Sequence, residues 1–387
     1  MKRILVLGLF GVFLLSVSAC GKTKSDENPS TIETGMGNSA LEPTEGAEDT
    51  VGDSDNEKDI AKPETVEDPE IAKIKELFGE NCIAEQTFEV ELGQYGKVYF
   101  VPYAPSAKNP EFSMQIIQNG EVLMDIYSYV PEKLAGEPFV SLDEVAFFDI
   151  NYDGITDIIL VETYGDTSFA VVYYRGYNYG SKRLFANETL SDNLTEELEV
   201  VSISEICNYL SNGKENGEFS DYKEAYEAVS RLFELDCSWE LGYDLIYFDE
   251  DDIPELVLGL SGYYVSMYTY HDGKVYTLMD YWGYGAGGNG GYEYCPGKNS
   301  LRNFNADDAG AIVYTTYMTV NDQHSLELVV EIVTYNYFDE EASGSYYSES
   351  YIDKVEISEQ EVLSYDVGEY EWIKSVMSLE ELLENLK

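Results

Sequence analysis

The densest group of side chains that could do chemistry lies between residues 149 and 157. Carboxylate and amide groups alternate there, in the order Asp149-Ile-Asn151-Tyr-Asp153-Gly154-Ile155-Thr-Asp157. A hard cation such as Ca²⁺ takes about six to eight oxygen ligands, which alternating side chains around a tight turn can supply. Gly154 permits the left-handed backbone that such a turn needs. The segment therefore predicts a calcium loop whose ligands are Asp149, Asn151, Asp153, the Ile155 carbonyl and Asp157.

The loop does not follow the EF-hand pattern. An EF-hand needs a bidentate glutamate at the twelfth loop position, and that position is Leu160 here. The flanking residues are apolar and β-branched, which is typical of strands. We therefore expect the loop to connect two strands of a hairpin.

A degraded copy of the loop occurs later in the chain. Asp251 and Glu255 lie 98 residues after Asp153 and Asp157, and Asp249 corresponds to Asn151. This spacing indicates a duplicated unit. Tyr247 replaces the first ligand and Asp252 replaces the glycine, so Asp249, Asp251 and Glu255 form a weaker candidate metal loop.

A glycine- and aromatic-rich segment, residues 281–294, is a second kind of candidate. Its sequence is YWGYGAGGNGGYEY. Aromatic rings stack on sugars and peptides, and they equally pack into protein cores. Tyr281, Trp282, Tyr284 and Tyr292 are thus candidate ligand-binding residues, with local packing as the alternative.

Catalytic motifs are scarce in the sequence. The chain has two histidines, His271 and His324, both in polar turn sequences and expected to be exposed. This argues against a nucleophile–His–Asp arrangement and against an H-E-x-x-H zinc site. A carboxylate pair of the glycosidase type, about 5–10 Å apart, cannot be located from sequence among 74 acidic residues. We expect a non-enzymatic protein, with a carboxylate-dependent polysaccharide hydrolase as the alternative.

The N-terminus predicts export and lipid attachment. Lys2 and Arg3 precede an apolar run from Ile4 to Leu15, followed by Val17-Ser18-Ala19-Cys20. This order is that of a secretion signal, and the run is shorter than the ~20 residues that span a bilayer. The last four residues resemble the lipobox of bacterial lipoproteins, in which the cysteine receives a diacylglyceryl group. We expect cleavage after residue 19 and anchoring through Cys20 on the extracellular face of the cell membrane.

Composition defines the following segment and the class of partner. Residues 20–70 hold no aromatic side chain, few aliphatic ones and many acidic, small and proline residues, which predicts a disordered tether. The whole chain carries 74 acidic against 23 basic residues, a formal charge of -51. Such a surface repels nucleic acid. The expected partners are the membrane, through the lipid, and a cell-wall glycan or a surface protein.

Taken with these features, the loop at 148–159 resembles the D-x-[DN]-x-D-G-x-x-[DE] loop of VCBS/FG-GAP-like repeat proteins. The layout of lipobox, acidic tether and β-rich part is similar to that of surface lipoproteins of clostridial type. The resemblance implies extracellular Ca²⁺ and an adhesion-like or ligand-binding role. Its best-known members form β-propellers, but two loops are too few for the four or more blades of a propeller, so we do not expect that architecture.

Hydrophobic periodicity predicts antiparallel hairpins framed by short helices. The helices are expected near 68–77 and 203–210, after a cap at Ser220, and after a capping box at Ser378–Glu381. The hairpins are expected around Asn119-Gly120, around Asp272-Gly273, and between 311–320 and 326–335. Long hairpins argue against a transporter-linked solute-binding lipoprotein, which needs parallel sheets.

The predicted organisation is an α+β, predominantly antiparallel chain with two lobes. Its parts are a signal peptide (1–19), the lipidated cysteine and tether (20–70), a β-rich domain with the calcium loop (71–205), and a second α+β domain (206–387). Four further cysteines, Cys82, Cys207, Cys237 and Cys295, lack metal-ligand spacing. Export would allow them to pair, but the apolar helical contexts of Cys207 and Cys237 favour free thiols.

Overall fold

The computed structural model describes residues 68–93, 95–175, 183–339 and 345–387. The predicted signal peptide, Cys20 and nearly all of the tether lie outside these ranges. Within them the chain is β-rich and its strands pair antiparallel, which confirms the predicted α+β class. The strands form four sheets, which we call A to D in chain order.

Sheets A, B and C each have four strands, and sheet D has seven. Sheet A consists of β1 (Phe88–Leu92), β2 (Gly96–Tyr103), β3 (Ser113–Gln118) and β4 (Glu121–Tyr127). Sheet B consists of β5 (Phe139–Phe148), β6 (Asp157–Tyr164), β7 (Thr167–Arg175) and β8 (Leu184–Ala186). Sheet C consists of β9 (Gly242–Ile246), β10 (Glu255–Leu260), β11 (Tyr264–His271) and β12 (Lys274–Gly283). In each of these sheets the strands lie in chain order, so each is an up-and-down meander.

Sheet D has the strand order β18-β17-β16-β15-β14-β13-β19. Its strands are β13 (Tyr292–Cys295), β14 (Ser300–Asp307), β15 (Ile312–Val320), β16 (Leu326–Asp339), β17 (Ser345–Ile352), β18 (Val355–Ile357) and β19 (Glu371–Trp372). The described helices are α1 (Pro69–Phe78), α2 (Glu188–Glu197), α3 (Ile203–Ser211), α4 (Tyr222–Asp236), α5 (Glu359–Leu363) and α6 (Leu379–Asn385).

Side-chain caps fix the helix starts. The capping box at Ser378 is present and opens α6 as predicted. The cap of α4 was predicted one residue too early: Asp221 accepts the hydrogen bond from the Glu224 N–H at 3.0 Å. Ser220 instead donates its hydroxyl to the Glu224 carboxylate at 2.8 Å. The aspartate takes the cap because its carboxylate also favours the positive end of the helix.

Alternation along the strands stacks the sheets in chain order. In β6, Ile158 and Leu160 face sheet A, while Ile159 and Val161 face the opposite side. That opposite side packs against sheet C and helices α2, α3, α4 and α6. In β10, Leu258 joins this same core, while Val257 faces sheet D. Sheets B and C are therefore buried on both faces.

The core between sheets B and C crosses the predicted domain boundary. It unites residues before 205, such as Ile159 and Leu194, with residues after it, such as Tyr226 and Leu258. All described residues belong to one compact unit, Thr65–Lys387. Whether 71–205 and 206–387 fold as separate domains stays a prediction.

Candidate metal centre

The predicted calcium loop connects β5 to β6, as expected for a hairpin. Phe148, the last residue of β5, pairs with Asp157, the first residue of β6. Side chains fold the intervening backbone: the Asp153 N–H donates to Asn151 Oδ1 at 3.2 Å, and the Ile155 N–H donates to Asp153 Oδ1 at 2.8 Å. The loop is thus shaped by the same polar groups that were predicted to bind the cation.

Gly154 has the expected left-handed backbone, with φ 78°. A Cβ at this position would meet nothing within 4 Å, so backbone conformation is the reason for the glycine. The Gly154 N–H donates to Asp149 Oδ2 at 3.1 Å, which draws the first predicted ligand over the turn. Tyr152 also has a left-handed φ, 62°, which the sequence did not predict.

Two carboxylate oxygens of the loop are buried without a hydrogen-bond partner. Asp157 is fully buried; its Oδ2 accepts from the Ile150 N–H at 2.9 Å, while its Oδ1 has no partner. Asp149 Oδ1 is buried and unpartnered in the same way. A buried carboxylate oxygen without a donor costs about 1–3 kcal/mol or more. No hydrogen-bond donor in the described part of the chain reaches these two oxygens, so each could accept one from outside the protein or bind a cation.

The raised pKa values of these aspartates also indicate that a positive charge is missing from the loop. Burial raises the pKa of Asp157 well above its usual range, and the charge of Asp153 raises it further. Burial, followed by the Asp153 charge, raises the pKa of Asp149 to about 6. Three carboxylates thus repel one another at one end of the hairpin. A bound divalent cation would remove this repulsion.

The candidate ligands have the oxygen donors that calcium prefers, but the structure does not place them as a formed metal site. Across the described ranges, no three His, Cys, Asp or Glu side chains are placed so that they could hold a metal ion. The oxygens of Asp149, Asp153 and Asp157 are hard donors of the kind that calcium prefers. The Ile155 N–H fixes that residue at the end of the turn, and ligation by its carbonyl stays a prediction.

The degraded loop, between β9 and β10, keeps three hydrogen bonds of the first loop. The Asp251 N–H donates to Asp249 Oδ1 at 2.9 Å, and the Ile253 N–H donates to Asp251 Oδ1 at 2.7 Å. The Phe248 N–H donates to Glu255 Oε2 at 2.9 Å. Each bond recurs 98 residues after its counterpart in the first loop, which supports the predicted duplication.

The two loops differ at the closing carboxylate. Glu255 is longer than Asp157 by one methylene, and its Oε1 also accepts a hydrogen bond, from Thr269 Oγ1 at 3.3 Å. Both of its oxygens are therefore satisfied by the protein. Between Tyr247 and Glu255, all described, no residue has a left-handed φ, including Asp252 at the glycine position. The second loop therefore retains these hydrogen bonds without the left-handed residues and the unpartnered closing oxygen of the first.

A hydrogen bond connects each loop to the sheet that follows it in the chain. In the first, the Tyr152 carbonyl accepts a hydrogen bond from Thr277 Oγ1 of β12 at 2.6 Å. In the second, the Phe248 carbonyl accepts from the Asn299 N–H, next to β14, at 2.9 Å. The sequence did not reveal these contacts, because the partners are distant along the chain and polar strand residues are common.

Replacing Thr277 by valine should loosen the first loop. The isosteric change leaves the Tyr152 carbonyl without its donor, and we expect the free energy of unfolding to fall by ~1–3 kcal/mol. Calcium affinity should fall as well, because Tyr152 lies between the predicted ligands. Chemical denaturation and calorimetric titration would measure both. Thr319→Val is the matched control, since Thr319 donates to the Asn299 carbonyl at 2.8 Å beside the other loop; a loss of calcium affinity in that variant would contradict the expectation.

The four aromatic candidates all take part in packing. The Tyr281 hydroxyl donates to Asp236 Oδ2 at 2.8 Å, and its ring contacts Phe233. Tyr292 is buried, and both Trp282 and Tyr284 contact its ring. This agrees with the packing alternative, and a ligand-binding role for Tyr281, Trp282, Tyr284 and Tyr292 stays a prediction.

The two histidines lie together, which the sequence did not indicate. The rings of His271 and His324 have centroids 4.3 Å apart, joining the β11–β12 turn to the β15–β16 turn. His271 is exposed as expected, whereas His324 is only partly exposed. The four described cysteines, Cys82, Cys207, Cys237 and Cys295, are free thiols, as the sequence favoured.

Comparison with known proteins adds no family. No protein-family model and no curated protein matches the chain. Among the described residues, no helix is long and apolar enough to cross a membrane. Function therefore has to be inferred from the site itself.

Proposed function

We propose that the chain is a lipid-anchored extracellular protein whose folded part is a non-enzymatic, calcium-stabilised binding module. The single observation that carries the calcium assignment is the buried Oδ1 of Asp157, which has no partner. It lies in a loop where Asp149 and Asp153 place two more carboxylates close enough to raise its pKa. Lipid attachment at Cys20 rests on the N-terminal sequence, outside the described residues.

Calcium explains this arrangement better than a structural acid cluster does. A cluster without a cation leaves two buried oxygens unsatisfied and three carboxylates in mutual repulsion. A cation supplies the missing positive charge, and extracellular calcium modules typically bind with Kd ~10⁻⁴–10⁻³ M. The resemblance of this loop to those of VCBS/FG-GAP-like proteins supports the same ion. In our proposal the cation staples sheet B to sheet C through Tyr152 and Thr277.

Calorimetric titration with CaCl₂ tests the assignment. The sample is the mature chain, residues 20–387, with Cys20→Ser to prevent lipidation. We expect one calcium-binding event in this protein and none in Asp157→Ala, since that variant loses the unpartnered oxygen.

Asp251→Ala is the control, because it removes a carboxylate from the loop whose closing glutamate is already satisfied. It should bind calcium as the parent does. Equal loss of binding in both variants, or no binding by the parent protein, would reject the calcium loop while leaving the proposed lipid anchor intact.

A further inference from the structure

One face of sheet D carries five neighbouring tyrosines, which we call the tyrosine face: Tyr314, Tyr335, Tyr337, Tyr347 and Tyr351. The strand register puts them on the same side. Tyr337 pairs with Tyr347, and Val333 pairs with both Tyr314 and Tyr351. The rings of Tyr335 and Tyr337 have centroids 6.4 Å apart, and those of Tyr337 and Tyr347 are 5.0 Å apart. Tyr335 also contacts Tyr351, at 5.7 Å. The rings of Tyr335, Tyr337, Tyr347 and Tyr351 therefore form a continuous patch, and the strand register places Tyr314 on the same side.

The tyrosine face continues a face of sheet D that is covered by sheet C at its other end. Leu301 and Met318 lie on the same side of β14 and β15 and pack against sheet C. The tyrosines lie on the same face, in β15, β16 and β17, and Tyr337 and Tyr347 are 38% and 49% exposed. The opposite face of sheet D buries Val330 and Ile332 under the chain's own C-terminal segment. On the opposite face, Phe338 and Tyr346 at the far end of the same strands are exposed as well, at 50% and 79%.

Carboxylates border the tyrosine face. Three acidic residues share its side: Asp307, Glu331 and Glu349. Glu349 pairs with Tyr335, and Asp307 is joined to Tyr335 through Ile312, which pairs with both. Glu331 lies in β16 on the same side as Tyr335, four residues away. Glu349 accepts a hydrogen bond from the Tyr351 hydroxyl at 3.0 Å. The acids are therefore held beside the rings.

Basic residues of the chain do not balance these acids. Residues 300–357 contain two basic residues against eleven acidic ones. One of the two, Arg302, lies on the opposite face, where it bonds Glu293 at 2.7 Å and Asp366 at 2.6 Å. The tyrosine face is thus aromatic and anionic.

We propose that the tyrosine face binds an extended, lysine- or arginine-rich segment of a partner protein. Ammonium and guanidinium groups are attracted to aromatic rings, and more so beside carboxylates. Tyrosine is enriched at protein interfaces, and complementary charge speeds encounter. A neutral glycan could stack on the rings but would leave the carboxylates without counter-charges. This inference names the partner class of the binding module proposed above, and it does not depend on the calcium loop.

A binding titration with a defined probe tests the inference. The probe is a fluorescein-labelled peptide of alternating lysine and serine, and the sample is the mature chain with Cys20→Ser. We expect saturable binding that Tyr337→Ser combined with Tyr347→Ser weakens about tenfold, equivalent to ~1.4 kcal/mol. The ring-preserving pair Tyr337→Phe and Tyr347→Phe should retain most of the affinity, which separates loss of the rings from loss of the fold.

Tyr346→Ser is the matched control. Tyr346 lies in β17 beside Tyr347 and is 79% exposed, but it pairs with Phe338 on the opposite face. Its replacement should change the affinity less than about twofold. The proposal is overturned if the parent protein does not bind the peptide, if Tyr346→Ser weakens binding as much as the double change, or if a neutral hexasaccharide binds this face and the peptide does not. Titrations with calcium and with chelator should agree, so failure of the calcium loop would be recognised separately.

Discussion

A chain carrying Glu162→Gln is expected to lose several kcal/mol less stability than the unchanged chain between about pH 5 and pH 8. Glu162 lies in β6, in the layer between sheets A and B, and it is fully buried. Its Oε1 accepts a hydrogen bond from Ser128 Oγ at 2.6 Å, and Oε2 is buried without a partner. Ionisation would therefore place a charge in an apolar layer with a single hydrogen bond.

The direction of the pH effect follows from the pKa. Burial raises the pKa of Glu162 from its usual 4.5 to about 8, and the charge of Asp143 adds to the rise. The folded chain thus holds a proton that the unfolded chain releases as pH rises above 4.5. Its stabilising contribution is complete below the unfolded pKa and is lost as pH rises through about 8. At ~1.4 kcal/mol per pH unit, the loss reaches up to about 5 kcal/mol.

Urea denaturation at several pH values would measure this effect. Glutamine resembles the protonated acid and does not ionise, so Glu162→Gln should make the fall of stability with pH less steep and be the more stable form at pH 8. Glu91→Gln, at an exposed position of sheet A, should follow the unchanged chain at every pH. A Glu162→Gln profile parallel to that of the unchanged chain would show that Glu162 does not titrate in this window.

The sequence predicted those parts of the fold that local physics decides. The Asn119-Gly120 and Asp272-Gly273 hairpins form, with left-handed φ at both residues of each turn. The capping box of α6 and the calcium-loop hairpin form for the same reason: a few adjacent residues specify them. Local signals of this kind act over about ten residues and do not require knowledge of the tertiary structure.

The features that the sequence did not reveal depend on distant partners. Glu162 reads as an ordinary polar strand residue, yet its strand is buried on both faces by sheet A and by the helices. In β16 and β17 the tyrosines alternate with other residues as in any half-exposed strand, and only the strand register brings their rings together. The same holds for Thr269, which donates a hydrogen bond to Glu255, so that the second loop has no unpartnered oxygen on its closing carboxylate.

The last expected result concerns Asp153→Asn, whose effect on stability should change sign with calcium. The asparagine keeps an Oδ1 to accept from the Ile155 N–H, so the turn is preserved. The lost charge is the one that raises the pKa of both Asp149 and Asp157. In chelator, repulsion falls and the variant should unfold at a higher temperature than the parent.

With calcium the order should reverse. Calcium at 100 times its Kd stabilises a single site by ~2.7 kcal/mol, and the variant, with one anionic ligand fewer, should gain much less. Thermal unfolding in calcium and in chelator measures both signs. Asp251→Asn makes the same change in the loop whose glutamate is satisfied, and its effect should be the same in both conditions. A parent protein whose melting temperature is the same with calcium and with chelator would contradict the site, because a cation bound only to the folded chain must raise its stability.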